Sequence, residues 1–248
     1  MNTVQDAYIY SLTGVSKFAE KIPIIQDITL CIKPEEKVAI LGPSGVGKTT
    51  LIRLMSGEIH PDSGTVKLNG QNSFHFSQGR ELARIVGVIN QQFNLVDELS
   101  VMNNVLAGNL GRWNFFESIF SLISSRNSEI AQNALSMVDL SGRDRTKVSK
   151  LSGGEQQRVA IARLIVQDPA VILADEPVSS LDPARAEEIM NLLLKYVKTR
   201  SKTLVAVLHS FEFTKKYFDR VIGIREGSVY FDISTNSLTQ NVFEDLYI

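Results

Sequence analysis

The chain of 248 residues contains one cysteine, Cys31. One thiol cannot close an intrachain disulfide or build a cysteine-rich zinc site. Beside the strand-like Ile28-Thr29-Leu30, Cys31 is expected to be simply buried. No stretch approaches the ~18 uninterrupted apolar residues of a membrane-spanning helix. The opening Met1-Asn2-Thr3-Val4-Gln5-Asp6 lacks a basic region followed by an apolar core, so no secretory leader is expected. The expected location is therefore cytoplasmic, and any work at a membrane needs another component to hold the chain there. With 26 Lys and Arg against 27 Asp and Glu the formal net charge is −1, which gives no global basic field for nucleic acid. There is no internal repeat and no low-complexity segment. What remains, 44% hydrophobic and 21% charged, is a globular composition large enough for a full core.

Against these absences one stretch stands out: Gly42-Pro43-Ser44-Gly45-Val46-Gly47-Lys48-Thr49, followed by Thr50. It fits G-x-x-x-x-G-K-[ST], the phosphate-binding P-loop. The apolar Lys37-Val38-Ala39-Ile40-Leu41 before it predicts a strand, and Thr50 to Ser56 after it predicts a helix closed by a cap at Gly57. Glycines let backbone N–H groups turn inward toward phosphates, and the helix N-terminus adds the positive end of its dipole. Lys48 can reach the β- and γ-phosphates, and the Thr49 hydroxyl can ligate Mg²⁺. A plain strand-to-helix turn needs the glycines but not the Lys-Thr pair.

Residues 7–12 and 24–32 read as strands, with Val15 to Ala19 between them. Phe18 there either stacks on a purine or covers the edge of the core. Pro61-Asp62-Ser63-Gly64 and Asn69-Gly70 read as turns around a half-exposed strand at 65–68, and Ile85 to Ile89 as a buried strand ending near Gln91. Residues 71–80 are polar, with His75 expected at the surface. From about residue 95 the pattern turns helical through 140. Arg112 to Phe120 carries most of the aromatics of this lobe, including the only tryptophan, Trp113, and is either lobe core or a partner surface. Leu151-Ser152-Gly153-Gly154-Glu155 opens a helix to about Val166. Val171-Ile172-Leu173-Ala174 is a buried strand running into Asp175-Glu176. Asp182-Pro183 starts a helix whose Ile189, Leu192, Leu193, Tyr196 and Val197 share a face. Thr203 to Leu208 is a strand ending at His209, and 221–231 a closing hairpin. Alternating strands and helices imply an α/β protein with a mainly parallel sheet.

Ligands of such sheets bind beyond the carboxyl ends of the strands. Asp175 there can hold Mg²⁺ through its water shell, Glu176 can polarise an attacking water, and His209 is placed for a γ-phosphate. A lone acid after a strand is ordinarily a cap; two beside a P-loop are not explained that way. Gly153 and Gly154 at a helix start cost backbone entropy, which is recovered only if the backbone closely approaches a ligand. The bare helix N-terminus is a second phosphate site, and the economical reading is that it serves a nucleotide held by another subunit.

These residues resemble the ATP-binding cassette (ABC) ATPases along nearly the whole chain. Gly42 to Thr49 looks like Walker A, Gln91 like the Q-loop glutamine, Leu151 to Glu155 like the signature with Glu where Gln is common. Ile172 to Glu176 is similar to Walker B with its catalytic glutamate, Ser180-Leu181-Asp182 to the D-loop, His209 to the switch histidine and Phe18 to the adenine-stacking aromatic. The resemblance implies a P-loop NTPase core of the RecA type, an N-terminal antiparallel β subdomain and an inserted α-helical subdomain. On that pattern residues 1–92 and 166–232 form the core with the β subdomain, 93–165 the helical signature subdomain and 233–248 a C-terminal tail. The implied cofactors are ATP and Mg²⁺, the metal held by Thr49, Gln91 and Asp175, with Glu176, His209 and Gln91 catalytic. The implied partners are a second copy, whose Ser152, Gly153, Gly154, Glu155 and Asp182 meet this chain's ATP, integral membrane permease subunits, and indirectly a substrate-binding protein. Nucleic acid is not among them. The resemblance places the chain on the cytoplasmic face of the inner membrane.

Within the family, Val105 to Trp113, Gln91 to Val96 and Ala174 to Pro183 resemble the ATPase subunit of phosphonate importers; His209-Ser210-Phe211 departs from the His-Gln of that group. Other cargoes, namely amino acids or phosphate-like anions, and lipoprotein release or cell division, are the alternatives. A GTPase-type switch would need Asn-Lys-x-Asp, which is absent. A DNA-maintenance ATPase would need a long coiled-coil or zinc insert between Lys48 and Leu151. A ribosome-associated cassette protein would carry two cassettes. The added C-terminal regulatory domain of some sugar and methionine importers is not expected here.

Overall fold

The computed structural model describes residues 8–76, 79–111, 125–179 and 181–248. The aromatic stretch 113–120, Ser180 and the opening six residues lie outside them.

Two sheets organise these residues. The first is antiparallel. It contains β1 (Tyr10–Ala19) and β2 (Ile22–Ile32), and further on β4 (Ser63–Leu68) and β5 (Gln71–Asn72), in the order β2-β1-β4-β5. Val15 to Ala19 was expected to lie between strands, but it continues β1, because the chain turns at Glu20 and pairs Ala19 with Ile22. Alternation explains the correction to Cys31 as well. Leu30 and Ile32 point inward, so Cys31 is half-buried on the opposite face, beside Ser11.

The second sheet contains β3 (Lys37–Leu41), β6 (Val86–Ile89), β7 (Val171–Asp175), β8 (Thr203–Val207), β9 (Arg220–Arg225) and β10 (Ser228–Ser234), in the order β10-β9-β3-β8-β7-β6. All its pairings are parallel except the β9–β10 hairpin. Every residue of β7 and β8 is buried. Their continuous apolar runs are what a parallel strand covered on both faces requires. Residues of one parity, Ala39, Leu41, Ile172, Ala174, Leu204 and Ala206, face one core. Their neighbours Val38, Ile40, Val171, Leu173, Val205 and Val207 face the other, shared with the antiparallel sheet.

The helices are α1 (Lys48–Met55), α2 (Gly79–Ile85), α3 (Val101–Leu106), α4 (Ser125–Met137), α5 (Gly153–Gln167), α6 (Pro183–Thr199), α7 (Phe211–Tyr217) and α8 (Gln240–Asp245). Helix α1 packs in the core shared with the antiparallel sheet, and α3 to α6 contribute to the other. The polar segment 71–80 holds β5, a 3₁₀ turn and the start of α2. One expectation needs correcting: instead of one long helical run, 101–111 is a six-residue helix followed by a 3₁₀ segment. Gly108 explains the close approach there: a Cβ would stand 2.3 Å from the Arg163 carbonyl of α5. On α6 the shared face is Ile189, Met190, Leu193, Tyr196 and Val197, while Leu192 is only partly buried.

Candidate functional site

The strand order sets the site. β3, β8, β7 and β6 are neighbours and parallel, so their carboxyl ends emerge side by side. β3 leads into the glycine loop, β8 to His209, β7 to Asp175 and Glu176, and β6 toward Gln91. The chemistry is scattered over 168 positions of sequence and converges only through this pairing.

The loop from Gly42 to Thr49 turns through positive φ at Gly42, Gly45 and Gly47. Gly47 is also demanded by packing, since a Cβ would meet the Ile24 carbonyl of β2 at 2.7 Å. Gly45 faces open space, so only its backbone angle of φ 80° calls for glycine. Gly47 has no side chain to cap α1, whose first N–H groups are left bare. Lys48 is buried, and its Nζ donates to the carbonyls of Gly42 at 2.8 Å and Pro43 at 2.7 Å. Burial lowers its pKa; the charges of Glu176 and Asp175 oppose that. Thr49 is exposed, Thr50 and Val46 are partly so, and Ser44 lies at the open edge of the loop.

Glu176 adopts a left-handed φ of 51°, a backbone strain of the kind that collects at functional sites. Its Oε1 lies 2.7 Å from His209 Nε2, and its Oε2 accepts from Gln91 Nε2 at 3.5 Å. Asp175 stays buried beneath them, and its Oδ1 has no hydrogen-bond partner. Burial raises its pKa, and the Glu176 charge adds to that; the Thr49 hydroxyl and the charges of Lys48 and His209 pull the other way. Thr49, Gln91, Asn90 and Asp175 line a single cleft of about 280 Å³. A buried carboxylate oxygen without a partner, with a hydroxyl and an amide in the same cleft, is a hard-oxygen donor set that fits Mg²⁺. Among the described residues no cluster of three His, Cys, Asp or Glu could hold a metal by protein groups alone.

The Asp175 carboxylate makes a sign prediction for the nucleotide-free protein. Its folded pKa is raised, so between the unfolded value and the folded one the native state binds the extra proton. Stability therefore falls as pH rises through that window. Asp175→Asn removes the penalty. Its Tm at neutral pH should exceed that of the parent, by about 2–4 °C for each 1 kcal/mol recovered in a domain of this size, while Mg²⁺-dependent turnover disappears. Differential scanning calorimetry with and without Mg-ATP separates the two effects. An equal or lower Tm in the nucleotide-free variant contradicts a net burial penalty on the Asp175 carboxylate.

Phe18 is 42% exposed near the end of β1, and its N–H donates to Asp62 at 2.7 Å. Its cross-strand partner is Pro23, next to Ile24, whose carbonyl packs on Gly47.

The structure keeps Ser152, Gly153, Gly154 and Glu155 apart from these groups. Ser152, Gly154 and Glu155 line a cleft with Arg158, Arg185 and Glu188, distinct from the one lined by Thr49, Gln91 and Asp175. Ser152 Oγ accepts from the Glu155 N–H at 3.3 Å, and the Glu155 carboxylate accepts from the Ser152 N–H at 2.9 Å, a reciprocal cap. The Ser152 N–H and the neighbouring Arg143 hold the Glu155 carboxyl below its ordinary range. A Cβ on Gly153 would meet nothing within 4 Å, and one on Gly154 only the Arg185 side chain at 3.9 Å. The chain's own packing therefore does not require either glycine. Asp182 caps α6, accepting from the Arg185 N–H at 3.1 Å.

Two residues absent from the sequence reading touch this region. Arg163 of α5 donates to the carbonyls of Phe93 and Asn94, just past Gln91. An arginine inside Val159-Ala160-Ile161-Ala162-Arg163-Leu164-Ile165-Val166 was the available signal. Tyr247 is raised by burial, opposed by a hydrogen bond from the Gly42 backbone, and nothing in its local sequence indicates that.

A family model described as ABC transporter matches residues 25–179. Over 225 residues the chain is 40% identical to the phosphonates import ATP-binding protein PhnC 3 of Halalkalibacterium halodurans, covering 90% of this chain and 87% of that protein. It is 39% identical to the phosphonates import ATP-binding protein PhnC of Lactobacillus johnsonii, with 95% and 94% covered. Among solved structures, a dimeric post-hydrolysis state of the ATP-binding cassette MJ0796 bound to ADP and Pi superposes with a TM-score of 0.78 at 31% identity, covering 92% of this chain and all 100% of that one. A nucleotide-free ATP-binding cassette superposes with a TM-score of 0.83 at 22% identity, a likeness of fold. Among the described residues no helix is long and apolar enough to cross a membrane.

Proposed function

We propose, from the premise that this chain belongs to the ABC transporter family as an ATP-hydrolysing subunit, that it powers uptake of phosphonate or a related phosphorus oxyanion. The observation carrying the catalytic part is the junction at the strand ends. Glu176 is bonded to His209 at 2.7 Å and reached by Gln91 at 3.5 Å, beside the partnerless oxygen of Asp175.

On this reading Phe18 stacks on the adenine. The amides of Gly45, Val46, Gly47, Lys48, Thr49 and Thr50 face the phosphates, with Gly42, Pro43 and Ser44 shaping the loop. ATP's phosphates replace the Gly42 and Pro43 carbonyls as partners of Lys48, so that its ammonium is already in place and already dehydrated. Thr49, Asp175 and Gln91 hold the Mg²⁺, which when bound neutralises charge on the β- and γ-phosphates. Glu176 accepts a proton from the water that attacks the γ-phosphorus. As the new O–P bond forms, the bond to the β-phosphate oxygen breaks, leaving ADP and phosphate. His209 holds Glu176 in line and donates to the γ-phosphate.

Two copies pack head to tail, each ATP lying between one chain's Walker A and the other's signature. Support comes from the open space at Gly153 and Gly154, which leaves room for a ligand from outside the chain. The helical subdomain at 93–165 meets integral membrane permease subunits, which hold the chain at the cytoplasmic face of the membrane. A substrate-binding protein selects the cargo. The relatives' names are the support for phosphonate as the cargo.

The test is the ATPase rate of the complex purified with its own permease, reconstituted in lipid with the cognate binding protein. Alkylphosphonate, phosphite, phosphate or amino acids are then added in turn. Stimulation by alkylphosphonate or phosphite is expected. Stimulation by amino acids alone, or indifference to the binding protein, would sink the phosphonate assignment and leave the ATPase standing.

A further inference from the structure

Helix α5 carries the signature residues at its first turn and grips the chain around β6 with its last two. Gln167 Nε2 donates to the carbonyls of Ala83 at 2.7 Å and Val86 at 2.9 Å, ahead of and at the start of the strand. One turn earlier, Arg163 Nη1 donates to Asn94 O and Nη2 to Phe93 O, both at 2.7 Å, beyond its end. The spacing of four puts both side chains on one face of α5.

The turn held by Arg163 is one the chain would not choose by itself. Phe93 and Asn94 are consecutive and both left-handed, at φ 54° and 46°. The Asn94 N–H folds back on the Gln92 carbonyl at 2.6 Å. Neither residue is glycine, and a bulky aromatic in that region persists only where its surroundings over-determine it. Both carbonyls turned out by this geometry point at one guanidinium. Among the described residues Arg163 has no carboxylate partner, so the bonds it makes are to backbone. Burial lowers its pKa. A desolvated cation committed to two carbonyls is costly to keep unless the geometry it fixes is useful. A planar fork can serve both oxygens at once; an ammonium cannot.

Gln91 stands two residues before Phe93 and five after Val86, just past the end of β6 and between the two grips. We infer that Arg163 is a positioning residue: its fork locks the Phe93–Asn94 turn, which aims Gln91 at the metal-and-water side of the site and ties that aim to the helix carrying Ser152 to Glu155. This rests on the reading of Gln91 given above. Movement of α5 then moves Gln91 with it, so the signature end and the Gln91 end of the lobe respond as one body.

The test uses the full chain and the variants Arg163→Met, Arg163→Lys and Gln91→Ala. Amide hydrogen exchange of residues 91–95 without nucleotide reads the turn independently of catalysis. It should quicken at least about tenfold in Arg163→Met, with β7 amides unchanged, and less in Arg163→Lys, which keeps one bond. The Mg²⁺ concentration for half-maximal turnover should rise about 10–100-fold in Arg163→Met, the range typical of lost second-layer support around a metal. Mg²⁺-free binding of a fluorescent ATP analogue should stay within about twofold, because Lys48 and the loop are untouched. Unchanged exchange at 91–95 overturns the inference, as does a Gln91→Ala shift in Mg²⁺ dependence that Arg163→Met does not reproduce. If exchange quickens but Gln91→Ala itself leaves Mg²⁺ dependence alone, Arg163 holds the turn and it is the role of Gln91 that fails. Should Arg163→Met not fold, Arg163→Lys carries the same comparison.

Discussion

Glu176→Gln should reduce ATP turnover by about 10²–10⁴-fold, the usual range for a removed general base, while ATP binding persists. The amide keeps the shape of the carboxylate and can still bond His209 and Gln91. It cannot accept the water's proton. ATP then stays at the interface, and the head-to-tail pair, which hydrolysis would otherwise reopen, accumulates. Size-exclusion chromatography with light scattering at saturating Mg-ATP should show a dimer of the 27.5 kDa chain. A monomer under those conditions counts against the two-chain site. Undiminished turnover removes Glu176 from the catalytic role altogether.

Ser152→Arg should abolish turnover, by at least about 10²-fold, yet leave ATP binding to the monomer within about twofold. The structure supplies both halves of that expectation. Ser152 is exposed and lines a cleft with Arg158, Arg185 and Glu188 rather than the one that Thr49 and Asp175 line, so the chain's own nucleotide pocket should not sense it. The long side chain fills the open space over Gly153 and Gly154 that the second chain's nucleotide would enter. Arginine also cannot cap α5, which costs about 1 kcal/mol and shows as a modest loss of Tm. That loss is common to any cap removal, so binding measured by fluorescence on the monomer is the deciding quantity. If monomer binding weakens with turnover, the signature acts within its own chain and the trans assignment is wrong.

Both predictions rest on residues legible in the sequence. The Gly-Lys-Thr ending of the loop, the apolar run into Asp175-Glu176 and the Ser-Gly-Gly start of a helix each carry local chemistry that needs no fold to be noticed. The buried parallel strands were equally legible. Val171 to Ala174 and Thr203 to Leu208 are continuous apolar runs, and such runs can lie only between two covered faces. Where the reading went astray, the pattern was locally ambiguous. Residues 71–80 are too polar for periodicity to reveal a short helix. Gly14 and Ser16 make Val15 to Ala19 look like a break, yet the strand carries through an irregularity between Thr13 and Ser16, and Ser16 pairs with Ser63. Cys31 follows apolar neighbours but faces the other way, because alternation is a property of the paired strand.

The sequence by itself determined the parts: a loop for phosphates, two acids, a histidine, a glutamine and a second glycine-rich helix start. Their identity is a matter of side-chain chemistry and short spacing, which the chain states directly. Only the tertiary structure decided their relations. The order β3-β8-β7-β6 places His209 between the glycine loop and Glu176, although it follows both in the chain. The β3–β8 pairing joins residues 167 positions apart, so no window of sequence encodes it. The same holds for Arg163, whose two acceptors lie 69 and 70 residues away. A hydrogen bond to a backbone carbonyl leaves no mark in the identity of the accepting residue, so the grip of α5 on the Gln91 turn exists only in the folded chain.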